Sequence, residues 1–208
     1  MVIWGFTLES FYTQLNDAFV LEEAGADEFG LLFEKRNASS STVQGITFEG
    51  RFNYNRRLQL ETGFTVQSSL YAHPVAYSNS LEATREYLRS PNDYGYYTLT
   101  FTPDGSFSCS LSGIYTGSMK VLHTAGSPEL PVADEFVSTP SFMENNLKVA
   151  YSFKVQSIDA GMEIFGGVKN LFNAYQNDFD SGKNRDSNYI YGPATPRLFY
   201  VGFKIKSL

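Results

Sequence analysis

Residues 199–205 read Phe-Tyr-Val-Gly-Phe-Lys-Ile. Phe199, Val201, Phe203 and Ile205 alternate with Tyr200, Gly202, Lys204 and Lys206. Successive side chains of a strand point to opposite faces, so one face is apolar and the other carries two lysines. The same period of two governs most of the chain, and no other feature constrains its fold as strongly. A strand with one greasy face must set it against another layer or against lipid, and its backbone edges must be paired or left open.

Taken in order, the pattern predicts about eight strands. The first runs from Ile3 to about Thr13, with Trp4, Phe6 and Leu8 opposite Thr7 and Glu9, and continues to a turn at Ala24-Gly-Ala-Asp. The return starts near Phe29, is interrupted by the polar run Asn37-Ala-Ser-Ser-Ser, and resumes over Gly45–Tyr54. A tight turn at 53–57 leads to the third strand, Leu58–Leu70, where Leu58, Leu60, Phe64 and Val66 oppose Gln59, Glu61, Thr65 and Gln67. A long connection over 71–93 contains the nearest approach to a helical pattern, one or two turns at Leu81–Arg89. The fourth strand, Tyr96–Thr102, ends at Pro103-Asp-Gly, where proline pre-sets φ and glycine is expected at positive φ. The fifth alternates Phe107, Cys109, Leu111, Gly113 and Tyr115 with serines. A long connection, Met119–Ser141, holds Pro128, Pro131 and Pro140. The sixth strand spans Leu147–Val155, and the seventh spans Ile158–Lys169 after a turn at Gln156-Ser157. A last long connection, Asn173–Pro193, precedes the strand described first.

Connections therefore alternate long and short, with all short ones on one side. That is the layout of an outer-membrane barrel, with short periplasmic turns and long extracellular loops. Strands of about 10 to 13 residues can cross a bilayer when tilted. The fold class expected is all-β: an antiparallel meander of about eight amphipathic strands, part of a transmembrane β-barrel. Aromatic content of 16% fits such a barrel's girdles. Glu49, Arg51, Glu61, Lys148, Lys154, Glu163, Lys169 and Lys204 all fall on the inward face, where charge is tolerated. A soluble sandwich, its apolar face buried against a second sheet, shares the same periodicity and stays open at this point. No apolar run is long enough for a membrane helix of about 18 residues. A net charge of −6 argues against a nucleic-acid partner. Met1–Glu9 lacks the basic start and apolar core of a signal peptide, so an exported protein would be represented here by a fragment or a mature part.

Side chains able to carry chemistry are sparse. Asp178-Phe-Asp-Ser-Gly-Lys-Asn-Arg-Asp has some of the acidic spacing of a calcium loop. Its glycine, Gly182, falls one position early and position 12 is not glutamate, so a solvated polar loop is expected. His73 and His123 lack the neighbours of a zinc site and read as exposed loop histidines. Cys109 excludes an internal disulfide framework and reads as a small apolar residue on the lipid face. The serines of the fifth strand lack a nucleophile elbow or a histidine partner, and read as lumen lining. Asn37-Ala-Ser matches a glycosylation acceptor, which means little in a bacterial protein. No catalytic, metal or cofactor residue is assigned, and no enzyme is expected; the ligand-binding residues stay unknown. Tyr71, Tyr77, Tyr87, Tyr175, Tyr189 and Tyr191 in the long loops suit either ring stacking on a ligand or an interfacial girdle, and Tyr71 leans to the girdle.

Four segments resemble the C-terminal part of a TonB-dependent outer-membrane receptor of the type common in Bacteroidetes. They are Gly5-Phe-Thr-Leu-Glu-Ser-Phe-Tyr-Thr-Gln-Leu-Asn-Asp, Gly45-Ile-Thr-Phe-Glu-Gly, Gly167-Val-Lys-Asn-Leu-Phe-Asn-Ala-Tyr-Gln, and Tyr189-Ile-Tyr-Gly-Pro-Ala-Thr-Pro-Arg-Leu-Phe-Tyr-Val-Gly. They fall in family order and span nearly the whole chain. The resemblance implies that residues 1–208 are the last strands of a barrel of about 22, with the plug domain and earlier strands absent. It further implies cell outer-membrane localisation, contact with outer-membrane lipid and with the barrel-assembly machinery, and TonB as a partner only through the missing plug. The implied activity is import of a scarce small-molecule or oligosaccharide ligand, such as an iron chelate or a cobalamin. One departure is the terminus: family strands commonly end on an aromatic residue in phase with the lipid face, whereas here Ser207 is in phase and Leu208 is not. The rival is a self-standing eight-stranded outer-membrane barrel with a structural or adhesive role, since eight strands can close around their own side chains. It requires the strand at Trp4 to pair with the strand at Phe203.

Overall fold

The computed structural model describes the chain apart from residues 18, 29, 38–39, 126–132, 157–159, 183–184 and 208. The expectations placed on Pro128, Pro131, Ile158, Asp159 and Leu208 lie outside the described residues. The strands are β1 (Val2–Leu15), β2 (Phe19–Asp27), β3 (Gly30–Asn37), β4 (Ser41–Tyr54), β5 (Leu58–Val75), β6 (Thr84–Glu86), β7 (Asp93–Phe101), β8 (Phe107–Thr116), β9 (Lys120–His123), β10 (Glu135–Ser138), β11 (Phe142–Val155), β12 (Ala160–Lys169) and β13 (Leu198–Ser207). Eight form one antiparallel meander in the order β1-β4-β5-β7-β8-β11-β12-β13. The expected eight-strand count therefore holds. β2–β3 and β9–β10 are hairpins within two of the long connections, and β6 pairs with the top of β5.

The register explains why the alternation matters. Across the sheet, Leu8 stands opposite Phe48, Phe48 opposite Phe64, Leu60 opposite Leu99, Leu99 opposite Leu111 and Leu111 opposite Leu147. Leu147 then meets Val168, and Val168 meets Phe199. One continuous apolar face results. Near the short turns it carries an aromatic band of Trp4, Phe52, Phe101, Phe107, Tyr151 and Phe153, as a girdle at a lipid boundary requires. The other face sets Arg51 opposite Glu61 and Glu163 opposite Lys204, and Thr47 Oγ1 lies 2.9 Å from Thr65 Oγ1. Opposite charges and hydroxyls directly across a ladder stabilise each pair by tenths of a kcal/mol up to about 1.

No second layer covers the apolar face among the described residues. Trp4, Phe6, Leu8, Val201 and Phe203 are 65% to 82% exposed. The sandwich reading fails for that reason. β1 and β13 each have a single partner strand among the described residues, so the closed eight-stranded rival lacks its seam.

Three local expectations are corrected. The chain reverses between Asp27 and Gly30; the residues expected to turn, at 24–27, instead follow a register shift between Glu23 and Gly25, with Gly25 at φ +136°. The stretch expected to make a helical turn at 81–89 forms β6, because Thr84 and Glu86 find ladder partners in Val75 and Leu70. At Pro103-Asp104-Gly105 the turn is present, but Gly105 is not at positive φ. The Asp104 carboxylate closes it instead, accepting from the amides of Phe107 (2.8 Å) and Ser106 (2.9 Å), and those bonds hold its pKa below the usual carboxylate value. The 53–57 turn is as expected: Asn55 and Arg56 both take positive φ, and the Arg57 amide donates to the Tyr54 carbonyl at 2.9 Å.

Candidate ligand-facing loop cluster

All the long connections emerge from one end of the sheet, and that is where most of the buried residues are. The last of them begins at Asn170-Leu-Phe-Asn173. Asn170 is fully buried at φ +48°. Its Nδ2 donates to the carbonyls of Ala174 and Thr195, both at 2.8 Å, and its Oδ1 accepts from the Ala174 amide at 2.8 Å. Its amide donates to Asn146 Oδ1 on β11 at 2.9 Å. Asn173, at φ +55°, accepts from the Arg197 amide at 2.9 Å. Asparagine tolerates the left-handed region and supplies both donor and acceptor, so two asparagines fasten the exit of β12 to the approach of β13.

Above this junction Val121, Phe142, Tyr189 and Tyr191 form a small core. Tyr191 and Tyr189 both donate to the Asp178 carboxylate, at 2.6 and 2.9 Å, and the buried Gln176 bridges the Tyr189 carbonyl and the Tyr191 amide. Burial works against the Asp178 charge, but the Tyr191, Tyr189 and Gln176 hydrogen bonds outweigh it and hold its pKa below the usual value. Burial, then the bond to Asp178, pushes Tyr191 up to about 12. A depressed carboxylate contributes stability that is lost as pH falls through its folded value. A raised phenol contributes stability that is lost as pH rises through its folded value. The clasp is therefore stable across the neutral range.

His123 lies against this core. It is buried, contrary to the exposed position expected, and its ring stacks on Tyr189 at 3.8 Å between centroids. Nε2 lies 3.1 Å from both Asp180 oxygens, and Nδ1 lies 3.6 Å from Glu135 Oε1. Asp186 accepts from the Thr124 amide at 2.9 Å, while its own amide donates to Asp180 at 3.0 Å. The carboxylates that suggested a calcium loop are thus engaged by tyrosines, a histidine and backbone amides, and no metal-type cluster occurs among the described residues.

A second core holds Val20, Tyr71 and Val75, with Tyr71 stacked on Tyr87 at 4.2 Å. Tyr71 shares its side of β5 with Gln59, Glu61 and Thr65 and is 5% exposed, so it is not a girdle residue. The loops are cross-tied. Arg89 donates to the carbonyls of Ile190 (2.7 Å) and Asn188, and Ser78 and Ser80 donate to Asp134. Lys120 pairs with Glu86 at 2.9 Å. A polar cleft of about 330 Å3 between these elements is lined by Ser68, Ser69, Glu86, Tyr87, Asp93 and Lys120.

Of the sequence candidates, the structure brings His123, Asp178, Asp180, Tyr189 and Tyr191 together. Tyr77 meets Phe136 edge-on at 6.3 Å, whereas Tyr175 is exposed and His73 sits exposed on β5. Cys109 stands on the apolar face between Phe101 and Val149. Ser108, Ser110 and Ser112 face the polar side opposite Ala150, Lys148 and Asn146, as expected of lumen lining. Asn170 and Gln176 both fall in the Gly167–Gln176 segment, but an isolated amide side chain gives no periodic signal that would mark its bonding role.

No family model and no curated protein sequence matches the chain. Solved structures do. The ferric-catecholate import receptor Fiu from E. coli K12 superposes with a TM-score of 0.59 at 16% identity, over 96% of this chain and 25% of that one. The siderophore receptor PirA from Acinetobacter baumannii gives 0.64 at 14% identity, over 97% and 29%. A mutant of the ferric enterobactin receptor PfeA from Pseudomonas aeruginosa gives 0.58 at 12%, over 94% and 28%. The chain therefore spans between 25% and 29% of the length of these receptors. At such identity the likeness speaks for the fold: this chain has the architecture of consecutive strands of an outer-membrane receptor barrel.

Proposed function

We propose that residues 1–208 are the C-terminal part of the barrel of a TonB-dependent outer-membrane transporter of the Bacteroidetes type, which imports a scarce ligand. The observation that carries this reading is the combination of an uncovered apolar face, a charged inner face and long interlocked loops at one end, in a sheet that superposes along nearly its whole length on receptor barrels. The four sequence segments support the Bacteroidetes type. In this reading the apolar face meets outer-membrane lipid after insertion by the barrel-assembly machinery. TonB acts through a plug domain supplied by the rest of the protein. The loop cluster faces the medium and contributes part of the ligand site. Iron chelates head the ligand classes because the receptors of similar fold are named for ferric catecholate, a siderophore and ferric enterobactin; cobalamin and oligosaccharides follow.

The test uses the complete gene product. Cells expressing it are given radiolabelled ferric catecholate, cobalamin or oligosaccharide, with and without a functional TonB. TonB-dependent uptake of one probe, with the protein in the outer-membrane fraction, is expected. An upstream reading frame without a plug domain, or uptake of the probes independent of TonB, rejects the proposal.

A further inference from the structure

We propose that the short-turn end of β4 and β5 holds an anionic phospholipid, with one acyl chain in a groove at Gly50 and the phosphate on Arg56 and Arg57. The inference rests on the barrel reading, which sets this face in lipid, and adds to it one place on the face and one class of headgroup. The groove comes from a missing side chain. Phe48, Phe52 and Tyr54 share the apolar side of β4, and Gly50 stands among them. Across the ladders it meets Phe6 on β1 and Thr62 on β5. The gap has a volume of about 420 Å3 and is walled by Trp4, Phe6, Phe48, Phe52 and Leu60. The rings brace one another: Trp4 stacks on Phe6 at 6.2 Å between centroids, and Phe6 on Phe48 at 6.5 Å. The one hydroxyl at the groove, that of Thr62, already donates to the Tyr96 carbonyl at 3.0 Å. A ligand that needs hydrogen bonds finds nothing there, whereas a narrow, flexible hydrocarbon chain gains contact along its whole length.

The groove leads to a charged end. Tyr54 lies four residues beyond Gly50, about 13 Å along the strand, and one leaflet's hydrocarbon is about 15 Å deep. Its exposed phenol faces the same side as the groove, and the turn at 55–57 follows directly. The backbone of that turn is fixed. The Arg56 amide donates to Asn53 Oδ1 at 2.9 Å, the Arg57 amide donates to the Tyr54 carbonyl at 2.9 Å, and the Arg57 carbonyl accepts from the Thr102 amide at 2.7 Å. The two guanidiniums, by contrast, are exposed, and neither has an ion-pair or hydrogen-bond partner among the described residues. Asp104, the carboxylate of the adjoining turn, is turned to the amides of Ser106 and Phe107. Two adjacent uncompensated arginines are therefore held on a rigid turn in a chain of net charge −6. A guanidinium meets a phosphate through two parallel hydrogen bonds, so this pair complements an anionic headgroup. Short turns lie at the periplasmic end of the barrel, so the lipid belongs to the periplasmic leaflet.

Trp4 is the only tryptophan in residues 1–208 and stands at the groove, so it reports the bound chain directly. The complete gene product and its Trp4→Phe variant are reconstituted in phosphatidylcholine vesicles, and the difference between their emissions is that of Trp4. A fixed fraction of the lipid is then replaced by phosphatidylglycerol or by phosphatidylcholine, each brominated on its acyl chains to quench indole on contact. Brominated phosphatidylglycerol is expected to quench Trp4 about threefold more effectively, because each basic side chain at the membrane surface favours an anionic headgroup. The preference disappears in Arg56→Gln/Arg57→Gln, and also at about 1 M salt, where charges are screened beyond about 3 Å. It falls in Gly50→Leu, which fills the groove and keeps both arginines. The salt measurement uses the unaltered protein and serves if a variant does not assemble. Equal quenching by the two lipids, or a preference that survives loss of the arginines, high salt or the filled groove, overturns the site and leaves the barrel reading standing. Quenching by neither lipid takes Trp4 out of the bilayer and overturns both.

Discussion

Asn170 shows, at the scale of a single residue, what the Asn-Leu-Phe-Asn run does at the exit of β12. Fully buried and left-handed, it places a donor pair on Ala174 and Thr195 and an acceptor on the Ala174 amide, so no apolar residue can replace it. Asn170→Ala loses three side-chain hydrogen bonds and strands buried backbone groups. It is expected to lower the stability of the folded barrel by roughly 2–4 kcal/mol, read as a fall in the temperature at which detergent-solubilised protein loses its heat-modifiable gel mobility. The sequence made the motif visible but not its purpose, because the partners at Thr195 and Arg197 are distant in the chain. Tyr71 illustrates the opposite failure. An aromatic at a strand end reads as a girdle residue, yet which face it lies on is set by counting register from Leu58, and that places it inside.

At the scale of elements, strand alternation was legible because the apolar face of this sheet has no second layer among the described residues to confuse the pattern. The loop elements were not. β6, β9 and β10 are short, and their pairings depend on neighbours that only the folded sheet supplies. The strands carry a further device. Gly167 on β12 sits opposite Tyr200 on β13, and a Cβ there would lie 2.6 Å from the Tyr200 ring and strike the Leu147 carbonyl of β11. The glycine lets the ring lie across the strand, where it shields the backbone and ties the two strands together. Gly167→Ala must displace backbone as well as ring. It is expected to cost roughly 1–3 kcal/mol, measurable as a lowered urea midpoint for the assembled barrel. A substitution to alanine at Gly105, in the turn between β7 and β8, where a Cβ meets nothing within 4 Å, is the control.

For the whole molecule, the two faces make opposite demands, and adjacent residues can test them. Leu111 lies on the apolar face between Leu99 and Leu147; Ser112 lies on the polar face between Thr98 and Asn146. Leu111→Arg is expected to destabilise the inserted barrel by roughly 2–4 kcal/mol near the bilayer midplane, and Ser112→Arg by far less, in folding titrations into lipid vesicles. Equal effects would contradict a lipid-facing sheet. The neighbouring directions of the meander have one more consequence. With eight strands alternating in direction, β1 and β13 run opposite ways, so the two margins of the sheet have opposite polarity. Parity then constrains closure: any set of strands that joined these margins through antiparallel ladders alone would have to be even in number, and an odd set would force one parallel seam.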